Sequence, residues 1–132
     1  MKEKVIKTLH LENGLDLILC DASRKIIGDR WLVKFTAKIE VPTDQLRRDM
    51  ADRVTVDPAV VSEGLGPNVI FEQQRERNFI DDINKAAVFK ELHDSFLDST
   101  FAYLSHPDFP SKFILKKFRE YSQQKGMGLP AV

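Results

Sequence analysis

The chain predicts an α+β fold: a four-stranded, mostly antiparallel sheet followed by two C-terminal helices packed on one face, in the order β-β-β-β-α-α. Three observations carry that expectation. An Asn13-Gly14 turn separates two apolar stretches, residues 31–41 alternate strictly between apolar and polar, and from residue 81 onward the apolar period becomes helical. Alternation with one wet face belongs to antiparallel sheets and argues against an all-helical or parallel α/β chain.

The first hairpin joins Val5–Leu11 to Leu15–Asp21. Burial selects its register. A two-residue turn at Asn13-Gly14 would place Leu9 and Leu11 on the face opposite Leu15, Leu17 and Leu19. A type I turn with Gly14 in the left-handed region pairs Leu11 with Leu15 and Leu9 with Leu17, gathering Val5, Leu9, Leu11, Leu15, Leu17 and Leu19 on one side. The third strand presents Trp31, Val33, Phe35, Ala37, Ile39 and Val41 to one side and Leu32, Lys34, Thr36, Lys38 and Glu40 to the other. Pro42 ends it.

Residues 42–68 read as a long irregular excursion. Within it Thr43–Arg53 suits a short surface helix around Leu46 and Met50. Asp57, Pro58 and Gly64 read as cap, first-turn proline and stop of another short helix. Leu65-Gly66-Pro67-Asn68 is turn chemistry; no lysine follows its glycines, so it is no phosphate loop. The fourth strand, Val69–Arg77, has a charged far half that suits a sheet edge.

From Asp81 to Ser105 the apolar residues cover more than half of a helical wheel, which implies contact on two sides. Pro107 ends that helix. Asp108-Phe109-Pro110 opens the next, which runs to about Lys125 with Gly126 as its stop. Opposite charge balances on the two segments favour helices lying side by side. One domain, residues 1–126, with a loose tail at 127–132, is the expected organisation.

Composition narrows the functional classes. The chain has 132 residues, with 20 basic side chains balanced by 20 acidic ones. Dedicated phosphate binding needs clustered positive charge, so electroneutrality argues against a nucleic-acid protein. The single cysteine, Cys20, allows no intrachain disulfide and no thiolate-rich zinc site. With no apolar segment behind the charged start and no run of membrane length, residence in a reducing cytoplasm is expected, with no membrane partner.

The residues richest in chemistry lie between the second and third strands, from Asp21 to Trp31. Read as a loop at one end of the sheet, this segment concentrates Ser23, Arg24, Lys25, Asp29, Arg30 and Trp31 as a candidate anion- or partner-binding set. Arginine offers a fixed fork of donors for carboxylate or phosphate. Gly28 lets a backbone approach closely, and Trp31 offers a stacking floor. The plainer alternative is a tied-down loop in which Asp21 and Ser23 make turn hydrogen bonds and Trp31 begins a core strand. Histidines give no support to catalysis. His10, His93 and His106 share no helical spacing, and His93 falls in an apolar arc where a hydrogen-bonded core histidine is the ordinary outcome. Cys20, beside Asp21, reads as a packing residue.

These residues favour a non-enzymatic protein-interaction or adaptor module, acting on a protein partner or a second copy, with no metal and no cofactor. The excursion, through Leu46, Met50, Val60, Val61 and Leu65, is the expected contact surface. A small-anion or enzymatic role at 21–31 is the first alternative. Weak nucleic-acid binding through the basic last helix (Lys112, Lys116, Lys117, Arg119, Lys125) is the second.

Overall fold

The computed structural model describes residues 3–125. The expected helix stop at Gly126 and the tail at 127–132 lie outside the described residues. The elements, in chain order, are β1 (Lys4–His10), β2 (Asp16–Asp21), β3 (Arg24–Ile27), β4 (Arg30–Pro42), α1 (Arg48–Arg53), α2 (Pro58–Leu65), β5 (Asn68–Asp81), α3 (Lys85–Ser105) and α4 (Phe109–Lys125). This is an α+β fold whose sheet has five strands, one more than expected.

The additional strand is β3, and its pairing explains it. Asp21 pairs with Phe35, the Ala22 amide donates to the Lys34 carbonyl, and Arg24 pairs with Leu32. Residues 16–27 are therefore one hairpin arm against β4, broken only at Ala22–Ser23. There the Ser23 hydroxyl accepts the Lys34 N–H at 2.9 Å, so a side chain replaces the missing ladder acceptor. The arm closes through Gly28-Asp29, with Gly28 at φ 55°. The segment read as a loop is a β-hairpin.

By contact the chain divides into two compact units. Of the described residues, the first unit comprises 3–39 and 72–105. Its first hairpin has the register that burial selects: Leu9 pairs with Leu17, the Leu11 N–H donates to the Leu15 carbonyl, and Gly14 sits at φ 90°. The Asn13 amide nitrogen also donates to the Leu104 carbonyl at 2.7 Å, so the turn satisfies an orphan carbonyl of the last turn of α3. Val5 departs from the expected face. A bulge between Val5 and Lys7 pairs it with Cys20, and it is exposed.

Val33, Phe35, Ala37 and Ile39 of β4 are fully buried with Leu17 and Leu19 of β2, and Leu15 just before β2 is buried beside them. Leu92 and Phe96 of α3 complete this core. Phe35 is its centre, with ring centroids 5.9 Å from Phe89, 5.7 Å from His93 and 5.2 Å from Phe96. Burying one such phenylalanine is worth about 2 kcal/mol. Along α3 the buried stripe is narrower than its apolar arc: Phe101 and Tyr103 are exposed. The helix also begins later than expected, because β5 runs on to Asp81 and a single 3-10 turn, Asp82–Asn84, intervenes.

The polar face of the sheet is not uniformly wet. Thr36 is fully buried there, and its hydroxyl donates to the Glu3 carboxylate, which also accepts from the Lys38 ammonium. That ammonium, with Thr36 assisting, holds the Glu3 carboxyl below its ordinary range.

The second unit, of the described residues 40–71 and 106–125, holds α1, α2 and α4. Residues 42–68 are more regular than expected. The Asp57 carboxylate caps α2 by accepting the Ala59 N–H, with Pro58 in the first turn, as the sequence indicates. The stop is Gly66 at φ 85° and not Gly64, which lies inside the helix against Tyr121. The start of α1 has no side-chain cap of its own. The buried Ser111 hydroxyl of α4 accepts the Arg47 N–H instead, at 2.9 Å. At its other end, Val56 N–H reaches Ala51 and Thr55 N–H reaches Asp52, with Thr55 at φ 58°, a Schellman-type stop. Phe71, Phe109 and Phe113 form an aromatic core with centroids 5.6–5.7 Å apart. Leu46, Met50 and Val61 are buried in this unit. They pack inward and are not the exposed contact surface expected of the excursion.

Candidate functional site

Because 21–31 is a hairpin arm, strand alternation separates its reactive side chains. Lys25 pairs with Trp31 on one face, and Arg24 pairs with Leu32 on the other. The six residues do not converge on one site. Arg24 borders an open-faced cleft with Glu3, Ala22, Leu32 and Lys34. Arg30 is engaged by the Asp81 carboxylate, and its guanidinium lies 5.9 Å from the centre of the Phe79 ring. Asp29 stands at the exposed hairpin tip, where its carbonyl accepts the Asp82 N–H at 2.9 Å.

Trp31 is no open stacking floor. Its indole N–H donates to Asp82 Oδ1 at 2.8 Å, and the Lys85 ammonium sits 3.6 Å from its ring centre. Lys85 is also 3.2 Å from Asp82 Oδ1. Lys85 first, then the indole, holds the Asp82 carboxyl below its ordinary range. Cation–π contact and a charge-assisted bond thus fix the first turn of α3 to the start of β4. Asp21 and Ser23 make the turn bond of the plainer reading: the Ser23 N–H donates to Asp21 Oδ1 at 2.9 Å.

Two clefts flank the start of α3. One is bordered by Lys4, Asp21, Ser23, Trp31, Lys85, Ala86 and Phe89, with a volume of about 450 Å³. The other is bordered by Phe79, Ile80, Asp81, Asn84, Ala87, Val88 and Glu91, with a volume of about 340 Å³. Beside the second lie the most exposed large apolar side chains of this end: Ile83 at 89%, Ile27 at 67% and Phe79 at 63% exposed. The Asp29–Asp82 bond brings the hairpin tip carrying Ile27 to the turn carrying Ile83.

Phe79 adopts φ 60°. That region is rare for a bulky residue and costs on the order of 1–3 kcal/mol. Sequence reasoning missed this set because isolated apolar residues at 27, 79 and 83 belong to three different elements. The Gly28-Asp29 dipeptide between Ile27 and Arg30 was the one available hairpin signal.

The remaining candidates fall to ordinary roles. His93 bonds Asp94 at 3.0 Å and packs edge-on to Phe35, as a satisfied core histidine does. His106 accepts the Asp108 N–H at 3.0 Å between α3 and α4. Cys20 is buried and free. On α4, Lys117 lies over the Phe113 ring at 5.5 Å, and Phe118 stacks on Tyr121 at 6.0 Å. Those aromatics are packed among side chains, whereas single-strand binders expose theirs. Among the described residues no three His, Cys, Asp or Glu side chains converge as a metal site. No described helix is long and apolar enough to cross a membrane. No family model, curated protein or solved structure matches the chain.

Proposed function

We propose that the chain is a protein-interaction module, and that its partner docks on the end of the sheet carrying Ile27, Phe79 and Ile83. The observation that supports this most directly is Phe79. A phenylalanine held at φ 60° and 63% exposed is costly in backbone and in hydration. Thr55, the other such non-glycine residue among the described residues, terminates a helix. Phe79 terminates none.

The adjoining cleft fits one kind of partner segment. Its apolar walls, Phe79, Ile80, Ala87 and Val88, are edged by Glu91 and by Asp81, whose charge Arg30 already neutralises. An apolar side chain followed by a basic one would fill the cleft and face Glu91. Exposed apolar surface rimmed by polar groups is what interaction sites present.

Site-specific photo-crosslinking tests the proposal. A photoreactive residue at Ile83 is expected to yield a discrete adduct in the source cells that Phe79→Asp removes. The same residue at Val60, exposed on α2, is expected to yield none. An adduct of twice the chain mass would identify the partner as a second copy. Labelling at Ile83 no stronger than at Val60 would overturn the reading.

A further inference from the structure

The other cleft beside α3 carries chemistry that the docking surface does not use. We propose that it binds a small organic carboxylate with a flat apolar body. Its volume, about 450 Å³, falls within the range of small-molecule sites. Every residue bordering it belongs to the first unit.

Each part of such a ligand has a counterpart. Two lysines from different elements border it, Lys4 on β1 and Lys85 at the start of α3. Lys85 is held in place by the Trp31 ring and Asp82, so its position is set before anything binds. Lys4 faces Asp21 across the ladder, yet among the described residues it enters no ion pair within 4.0 Å, and its ammonium is available to a carboxylate. The Ser23 oxygen already accepts from the Lys34 N–H, which leaves its O–H as a donor toward the cleft. Phe89 supplies an aromatic wall beside the small Ala86. Asp21 shares the border, and its repulsion disfavours di- and trianions there.

Benzoate is the probe, with benzamide as its neutral shape-mate and inorganic phosphate as an anion lacking the apolar body. In two-dimensional NMR of the labelled protein, benzoate is expected to shift the amides of residues 4, 21–25, 31 and 85–89. The dissociation constant expected of so small a ligand is about millimolar. Lys4→Gln, on an exposed edge strand where it leaves the fold intact, is expected to weaken binding about tenfold, the loss of one charge-assisted contact. Equal shifts with benzamide or with phosphate would overturn the proposal. So would benzoate shifts that map elsewhere or survive Lys4→Gln, or their absence at about 10 mM. Because Ile83 and Phe79 lie outside this cleft, its failure would leave the docking surface untouched.

Discussion

The Asn13 side-chain nitrogen donates to the Leu104 carbonyl at 2.7 Å, across 91 positions of sequence. Its oxygen accepts the Leu15 N–H at 3.2 Å within the turn. One amide therefore serves the β1–β2 turn as an acceptor and the end of α3 as a donor. Asn13→Asp keeps the acceptor and the turn preference but loses the donor, and it places a negative charge at the negative end of a helix. A loss of about 1–3 kcal/mol in urea unfolding is expected. An Asp variant as stable as the parent would show that the long-range bond contributes nothing.

Gly64 should resist a change that normally stabilises helices. In an exposed helix interior Gly→Ala gains about 1 kcal/mol. Here a Cβ would stand 2.8 Å from Cε2 of Tyr121, whose ring is itself stacked on Phe118. Gly64→Ala is expected to lose about 1 kcal/mol, because the ring must move. Tyr121→Leu should restore the gain in a double-mutant cycle; additivity of the two changes would remove the contact from the explanation.

The two strained residues should separate by role. Thr55→Gly removes a left-handed penalty at a helix stop, and a rise of about 1 kcal/mol in stability is expected. At position 79 the informative comparison is Gly against Ala, since both lose the ring and only Ala keeps the strain. Phe79→Gly is expected to be about 1 kcal/mol more stable than Phe79→Ala while being equally defective in crosslinking at Ile83. The reverse order of stability in thermal unfolding would mean that the backbone there is unstrained.

Acid should weaken the protein through a few named carboxylates. Lys38 depresses Glu3, Lys85 depresses Asp82, and Arg47 depresses both Asp49 and Asp108. A depressed folded-state value stabilises the fold above the unfolded value, and that contribution disappears as pH falls through the folded one. The unfolded values are 4.5 for Glu3 and 3.8 for the aspartates, so stability should be level near neutrality and fall below them. Thermal unfolding between about pH 7 and pH 2 checks this. Glu3→Gln should lower stability near neutrality and flatten part of the acid limb; an unchanged limb would exclude the Glu3–Lys38 pair.

Alternation and turn chemistry are local signals, and they determined a good deal. They placed the first hairpin in its register from the turn back to Lys7, the buried face of β4, the cap of α2 at Asp57, and β5 as a charged strand. Each follows from side chains within a few positions of one another, where period and sterics decide. Their failures share one character. Ser23 was legible as a turn residue, but its service as a ladder acceptor for Lys34 depends on a strand eleven positions away. Leu46, Met50 and Val61 were legible as apolar, but which way they face depends on α4.

The candidate sites lie at that same boundary. The sequence by itself determined which residues could carry chemistry between Asp21 and Trp31. Tertiary structure decided that pleating sends Lys25 and Arg24 to opposite faces, and that Trp31 is committed to Asp82 and Lys85. It also brought Ile27, Phe79 and Ile83 to one end of the sheet, and Lys4, Ser23 and Lys85 to one cleft. No local pattern encodes such meetings, because strand pairing and the seating of α3 on Phe35 bring together residues too far apart in sequence for any local period to link.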